Sequence, residues 1–327
     1  MPSDVAIQFT APGEVRMVEV ETMTPGPGEV LIRTLATSLC NHSELRSYRG
    51  GSREAYGSRY PMLPGEPGHE GVGIVESVGG DVSEFSPGEI VALTGWGGEP
   101  AHRSRVLREA SQIAGIIPGD RDPAEASILE MFASAYHCIK RGWEGGRYEN
   151  ARIAILGMGA IGLCSLQCIR LWPVREVVAF DLSNMKLQIA ESLGADRCLL
   201  LSPDEDPGDF VGRYGRFDIV VECTGARGGQ AIAQALSPGV LINVSYVSDP
   251  ITVDQTAWFR SETTLYNPGL PRADDLRAVA SLYNRGLIDP SPLISSRIPP
   301  DVATYVDAIR AIERGEIVKT LMLWNRE

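Results

Sequence analysis

The sequence has no Cys-x-x-Cys pair, no long uncharged apolar run and no surplus of basic residues. Each absence removes a class of function. The six cysteines, at 40, 138, 164, 168, 198 and 223, lack the spacing of a zinc ribbon or a dithiol redox motif. Three of them (164, 168 and 198) fall in segments that read as buried helix or strand, so no disulfide framework is expected. All except Cys40 read as small core residues. With 30 Lys and Arg against 42 Asp and Glu, the net charge is −12, which opposes a phosphate backbone, and nucleic acid is not an expected partner. The first thirty residues mix Asp4, Glu14, Arg16, Glu19 and Glu21 with apolar positions, leaving no signal-peptide core. The expectation is a soluble, cytoplasmic protein without a membrane segment.

What remains is ordinary globular composition: 327 residues, 43% hydrophobic and 22% charged, enough for two domains with their own cores and free of repeats or low-complexity stretches. Up to about residue 95 the pattern is strand-like. Val5-Ala-Ile-Gln-Phe9, Val15-Arg-Met-Val-Glu-Val20, Glu29-Val-Leu-Ile-Arg-Thr34, Gly71 to Val78 and Glu89-Ile-Val-Ala-Leu93 alternate or run apolar between Pro-Gly punctuation. This predicts a mainly antiparallel β domain. From Arg152 the pattern switches to alternating strand and helix, with strands at Ile153–Leu156, Glu176–Asp181, Cys198–Leu201, Phe217–Glu222, Val240–Val244 and Thr264–Tyr266. That alternation predicts a doubly wound parallel sheet, making the chain α/β overall.

The second half carries a dinucleotide fingerprint. Gly157-Met-Gly159-Ala160-Ile161-Gly162 lies between a predicted strand and a predicted helix. There the first Gly makes the turn, the second admits a pyrophosphate and the third lets helix and strand pack, with the helix N-terminus facing the phosphates. Asp181 closes the next strand nineteen residues past Gly162, where an acid accepts from adenosine ribose hydroxyls and repels a 2′-phosphate. Leu182-Ser183-Asn184 offers no Arg to a 2′-phosphate, so NAD is expected rather than NADP.

The first half carries the other chemistry. In Pro67-Gly-His-Glu-Gly-Val-Gly73, His69 supplies an imidazole that suits zinc, Glu70 a hard carboxylate, and the flanking glycines allow close backbone approach. Cys40 upstream and Glu130 downstream complete a possible donor set; the plainer alternatives are a core cysteine and a helix-surface acid. Among the other histidines, His102 reads as an edge-strand surface residue and His137 as packed or hydrogen-bonded on the helix bearing Glu130.

Together these pieces resemble the zinc-dependent medium-chain dehydrogenase/reductase family over nearly the whole chain. Pro25-Gly-Pro-Gly-Glu-Val-Leu-Ile-Arg33, Gly88-Glu-Ile-Val91, Val178-Ala-Phe-Asp-Leu182, Glu222-Cys-Thr-Gly225 and Gly315-Glu-Ile-Val-Lys-Thr-Leu-Met-Leu323 add to the resemblance. It implies a GroES-like, mainly β catalytic domain over 1–140, completed by 275–327, and a Rossmann NAD-binding domain over 141–274, with the active site in the cleft between them. It also implies that Cys40, His69, Glu70 and Glu130 are zinc ligands or closely support the metal. Cys223, Thr224, Val244 and Ser245 would hold nicotinamide and its ribose. The partners implied are a small-molecule alcohol or carbonyl and further copies of the chain, as a dimer or tetramer.

Two departures from the family pattern matter. Residues 92–107 contain none of the four cysteines of the family's structural-zinc lobe, so one catalytic zinc and no structural zinc are expected. After Cys40 the chain reads Asn41-His42-Ser43-Glu44, one residue longer than usual, which leaves His42 and Ser43 as alternative proton relays, Glu44 taking the acid's place beside Ser43. The implied reaction is hydride transfer between NAD and a secondary alcohol, with the acidic metal shell favouring a polyol, cyclitol or sugar-derived substrate. Two rivals stay open: a zinc-free quinone or enoyl reductase of the same superfamily, and a non-catalytic nucleotide-binding protein.

Overall fold

Alternating apolar positions in the first hundred residues form antiparallel strands, as their period of two requires. The structure, a computed structural model, describes residues 4–50, 59–144, 148–203, 206, 210–236, 239–245 and 250–324. The elements run β1 (Asp4–Ala11), β2 (Glu14–Val20), β3 (Glu29–Ser38), α1 (Asn41–Tyr48), β4 (Gly71–Val78), β5 (Ile90–Leu93), β6 (Arg105–Glu109), β7 (Ile113–Ile116) and α2 (Leu129–Glu144). Next come β8 (Arg152–Leu156), α3 (Ala160–Ile169), β9 (Glu176–Asp181), α4 (Asn184–Ser192), β10 (Arg197–Leu200) and α5 (Phe210–Tyr214). They are followed by β11 (Ile219–Glu222), α6 (Arg227–Ala235), β12 (Val240–Asn243), α7 (Gln255–Ser261) and β13 (Thr264–Tyr266). The chain ends with α8 (Ala273–Asn284), β14 (Ile294–Ile298), α9 (Val302–Glu313) and β15 (Lys319–Leu323).

The residues divide into two compact units, one reaching to Glu130 and resuming at Ala273, the other running from Met131 to Arg272. In the first, the main sheet has the order β14-β15-β3-β4-β5-β7, with β6 also on β3, and β1 and β2 form a separate hairpin. Strand β3 organises the site because it pairs antiparallel with both β4 and the late strand β15. Ile7, Phe9, Leu39, Tyr305, Ile309 and Met322 bury one core beside it; Val30, Ile32, Val75, Val91, Leu93 and Val106 bury another. The charges of Arg105-Val-Leu-Arg-Glu109 hide β6 from a hydropathy pattern, although Val106 and Leu107 are buried.

One of those charges, Arg108, is fully buried and pairs with no carboxylate among the described residues. Its guanidinium donates to the carbonyls of Thr94 at 3.2 Å and Leu107 at 2.9 Å, and to that of Glu99. Burial, and then Arg103, bring its pKa down to about 10, so it remains a cation at neutral pH. A positive charge set on carbonyl dipoles therefore closes the 94–99 loop, in the stretch where the sequence lacks the family's cysteines.

The second unit is the doubly wound sheet. Its six strands are all parallel, in the order β10-β9-β8-β11-β12-β13. Ile153–Leu156, Val177–Phe180 and Ile219–Val221 are buried, as expected of strands covered on both faces. The order reverses between β8 and β11, the kind of switch point at which open α/β sheets bind ligands. Cys164 and Cys168 are buried as the sequence suggests, whereas Cys198 is half-buried, its thiol facing the Leu187 carbonyl at 3.3 Å. That part of the expectation is corrected: β10 stands at the edge of the sheet among the described residues.

Candidate functional site

Strand register brings the first-half motif together. Antiparallel pairing sets Thr37 opposite Gly71, and the Ser38 N–H donates to the Glu70 carbonyl at 3.3 Å. Cys40, the N-cap of α1, follows two residues after Ser38, and His69 directly precedes Glu70, so both emerge at the same end of the strand pair. One ligand atom each from Cys40, His69 and Glu70 lies within 4.8 Å of the others. Metal–ligand bonds of about 2.0–2.3 Å call for such close donors, and thiolate, imidazole and carboxylate suit zinc.

Neighbouring groups orient each donor. His69 Nδ1 lies 2.9 Å from the Pro67 carbonyl, so Nδ1–H donates there and Nε2 is the nitrogen left to face a metal. Burial resists charging His69, but Cys40, hydrogen-bonded to it, and then Glu130 and Glu70, raise its pKa well above the usual value. Glu70 is fully buried and accepts from Lys319 Nζ at 2.9 and 2.7 Å and from the Ser38 hydroxyl. Lys319 Nζ also donates to the Leu39 carbonyl at 2.7 Å. Burial alone would lower the Lys319 pKa; Glu70, then Cys40, raise it instead. Both Glu70 oxygens are thus already engaged, and its Oε1 stands 3.8 Å from His69 Nε2.

Glu130 lies in the first turn of α2 and is buried rather than a surface acid. Burial pushes its carboxyl up to about 7, with His69 and Lys319 opposing and Glu70 adding to the rise. It lies outside the close cluster of Cys40, His69 and Glu70 but within their field. His42 is exposed in the first turn of α1, and Ser43 beside it is half-buried. Partial desolvation and the Arg46 charge lower the His42 pKa.

His102 corrects the sequence reading. It is not on an edge-strand surface but fully buried, with Nε2 2.8 Å from Glu44 Oε1 and Nδ1 2.9 Å from Thr37 Oγ1. The single residues flanking it, Ala101 and Arg103, are tied to Gly68 and Ala6, which turns the ring inward. Glu44, unassigned beyond its alternative alignment with the relay acid, proves a fully buried member of this pair. His137 hydrogen-bonds the Pro268 carbonyl at 3.2 Å, as its reading suggested.

In the second unit the fingerprint glycines take the conformations their roles need. Gly157 has φ +87°, and a Cβ on Gly162 would lie 1.9 Å from the Gly157 carbonyl oxygen, so both positions exclude a side chain. Gly159 caps α3 with open space around its Cα, leaving room for a pyrophosphate, and Ala160 and Ile161 form the first turn. Asp181 accepts from the N–H groups of Met158 at 2.6 Å and Ser183 at 2.8 Å, linking the end of β9 to the glycine turn.

Glu222, fully buried at the end of β11, was not marked by the sequence except as part of a resemblance. It accepts from Thr224 N–H at 2.7 Å, the Thr224 hydroxyl, Gln230 Nε2 at 2.9 Å and the Ser245 hydroxyl at 2.7 Å. The Ser245 oxygen in turn receives Gly225 N–H at 2.8 Å. Thr224 and Ser245 are thereby held beside buried Cys223 and half-buried Val244, the latter's N–H donating to the Glu222 carbonyl at 3.0 Å. Burial, then Glu222, raise the Cys223 pKa well above the usual thiol value, so this thiol stays neutral.

Comparison with known proteins agrees with both halves. Residues 26–126 match the alcohol dehydrogenase GroES-like domain, and residues 160–285 match the zinc-binding dehydrogenase domain. The chain is 25% identical to sorbitol dehydrogenase of Macaca fascicularis, over 98% of its own length and 96% of that protein's. It is 26% identical to L-threonine 3-dehydrogenase of Bacillus velezensis, over 92% and 93%. A zinc-binding dehydrogenase from Sinorhizobium meliloti, solved bound to NADP, shares the fold with a TM-score of 0.83 at 21% identity, covering 99% of this chain and 100% of that one. With a GroES-like mixed sheet, a Rossmann sheet and matches to both domains, the chain belongs to the zinc-dependent medium-chain dehydrogenase/reductase family.

Proposed function

We propose that the protein is a zinc-dependent oxidoreductase that moves a hydride between NAD and a secondary alcohol of a polyol, cyclitol or sugar-derived compound. The observation that carries this reading is the convergence of Cys40, His69 and Glu70 within 4.8 Å, with Glu70 held by Lys319. A bound zinc would polarise the alcohol or carbonyl oxygen, and NAD would accept or return the hydride. Cys40 and His69 would hold the metal, with Glu70 or Glu130 as the acidic member. Relatives named as sorbitol and threonine dehydrogenases support oxidation at a carbon bearing a hydroxyl. A reductase that needs no metal would gain nothing from a thiol, an imidazole and a buried carboxylate in contact. The test is turnover of the zinc-loaded protein with NAD on a panel of polyols, cyclitols and amino alcohols; no turnover on any of them, with one zinc bound, would sink the reading.

The cofactor assignment rests on Asp181 at the end of β9. Its carboxylate would accept from the adenosine ribose hydroxyls and repel a 2′-phosphate. Asp181→Ala is therefore expected to weaken NAD more than NADP, lowering the NAD preference by roughly tenfold or more, since a hydrogen bond to a charged group contributes about 1.5–3 kcal/mol. Titrating both nucleotides checks this; an unchanged ratio would assign the preference elsewhere.

The proton leaves the alcohol through His42 or Ser43. Replacing the true relay is expected to lower turnover by about 10²–10⁴-fold, with zinc content intact and the loss shrinking as pH rises. Because desolvation and Arg46 lower the His42 pKa, a His42 relay places its inflection below 6.5, and His42→Ala removes it. Full activity with normal pH dependence in both His42→Ala and Ser43→Ala excludes both residues.

A further inference from the structure

His102 stands where the two ligand-bearing segments meet. Toward Cys40, its Nε2 reaches Glu44 Oε1 at 2.8 Å, and the Glu44 N–H donates to the Cys40 carbonyl at 3.1 Å in the first turn of α1. Toward His69, its ring lies against Gly68 so closely that a Cβ there would come within 2.6 Å of the His102 Cγ. The backbone ties the same segments: Ala101 N–H donates to the Gly68 carbonyl at 2.8 Å and His102 N–H to the Gly65 carbonyl at 3.2 Å. A third contact anchors the ring to β3, through Thr37 Oγ1, which also receives Trp324 Nε1–H at 3.0 Å.

One tautomer satisfies this chain of donors. Trp324 donates to Thr37, the Thr37 hydroxyl donates to Nδ1, and Nε2–H donates to Glu44. Thr37, His102 and Glu44 are fully buried, and Glu44 Oε2 has no hydrogen-bond partner among the described residues. His102 thus holds the buried Glu44 carboxyl group through one oxygen. A planar ring so held is a strut of fixed length between the strand-to-helix junction at Cys40 and the turn preceding His69.

We infer that His102, acting through Glu44 and Gly68, is a positioning residue for the metal centre, setting the separation of the Cys40 thiolate from the His69 imidazole. This rests on the zinc reading above. His102 touches neither donor atom in this role; it decides where the backbone presents them. Groups one step removed from a metal typically change its affinity by about 10–100-fold, because they orient the ligands.

The experiment uses the full chain, stripped of metal, in five forms: wild type, His102→Phe, His102→Gln, Glu44→Asp and the core control Val91→Ala. Each is titrated with zinc against a competing chelator and with Co²⁺, whose visible spectrum reports ligand geometry and thiolate bonding; thermal unfolding of the metal-free proteins is measured alongside. Wild type is expected to bind one zinc per chain. His102→Phe fills the space but gives Glu44 no donor, and Glu44→Asp withdraws the carboxylate from the ring. Both should weaken zinc about 10–100-fold and alter the Co²⁺ bands. His102→Gln restores a donor and should recover most of the affinity, while Val91→Ala lowers the unfolding temperature and leaves zinc affinity and spectrum unchanged. If His102→Phe does not fold, Glu44→Asp decides. Wild-type affinity and spectrum in Glu44→Asp, or losses in Val91→Ala equal to those in the His102 and Glu44 variants, overturn the strut. A wild type that binds neither ion overturns the zinc reading with it.

Discussion

Cys40→Ser is expected to cost more than about 10²-fold in zinc affinity, because even outer partners of a metal typically cost about 10–100-fold and Cys40 supplies a donor directly. Turnover should fall in step with metal content. The alcohol side chain is the right size but a far poorer zinc donor than a thiolate, so the loss comes from chemistry and not from packing. The cysteine sits at the N-cap of α1, where serine is itself a favoured cap, and the fold should therefore survive. Metal analysis after dialysis against a weak chelator, with circular dichroism as the control for folding, measures this. Retention of one zinc per chain by Cys40→Ser would remove the cysteine from the site.

Lys319→Met should produce the largest loss of stability, about 3–5 kcal/mol, because it leaves the Glu70 carboxylate buried without its cation. In a unit of this size each kcal/mol moves the unfolding midpoint by about 2–4 °C, giving a fall of roughly 10 °C. The double variant with Glu70→Gln removes both charges and should regain much of that loss, since the penalty belongs to the unpaired charge. Additive effects of the two substitutions would show that the ion pair does not couple them. At neutral pH Lys319 carries its full charge, as Glu70, Cys40 and Glu44 raise its pKa; its contribution fades only as pH climbs through that raised value.

Local sequence rules disclose the fingerprint and the strands because those features are local. Gly157, Gly159 and Gly162 announce a turn, and Ile153–Leu156 announces a buried strand, each within a few residues. The close cluster of Cys40, His69 and Glu70 was also legible, since unusual donors in a short motif stand out. What sequence could not show was everything that depends on which strands become neighbours. Lys319 meets Glu70 because β15 returns to pair with β3, a contact between residues far apart in the chain. A lysine inside Val318-Lys-Thr-Leu-Met-Leu323 was the available signal, because lysine is almost never fully buried unless paired. His102 reads as a surface residue for the same reason: Pro100-Ala-His-Arg-Ser-Arg105 looks polar, and the ties of Arg103 to Ala6 and of Ala101 to Gly68 turn the histidine ring inward. Glu222 sits at a strand end that reads as a binding edge, but its partners Gln230 and Ser245 come from the next helix and strand.

Arg108 has a consequence for how its loop is held. In a loop without cysteines, a guanidinium fastens the carbonyls of Thr94, Glu99 and Leu107. That fastener is part of the chain from synthesis. The three carbonyls therefore find their partner within fourteen residues of the same chain, and the loop is held by the sequence that follows it.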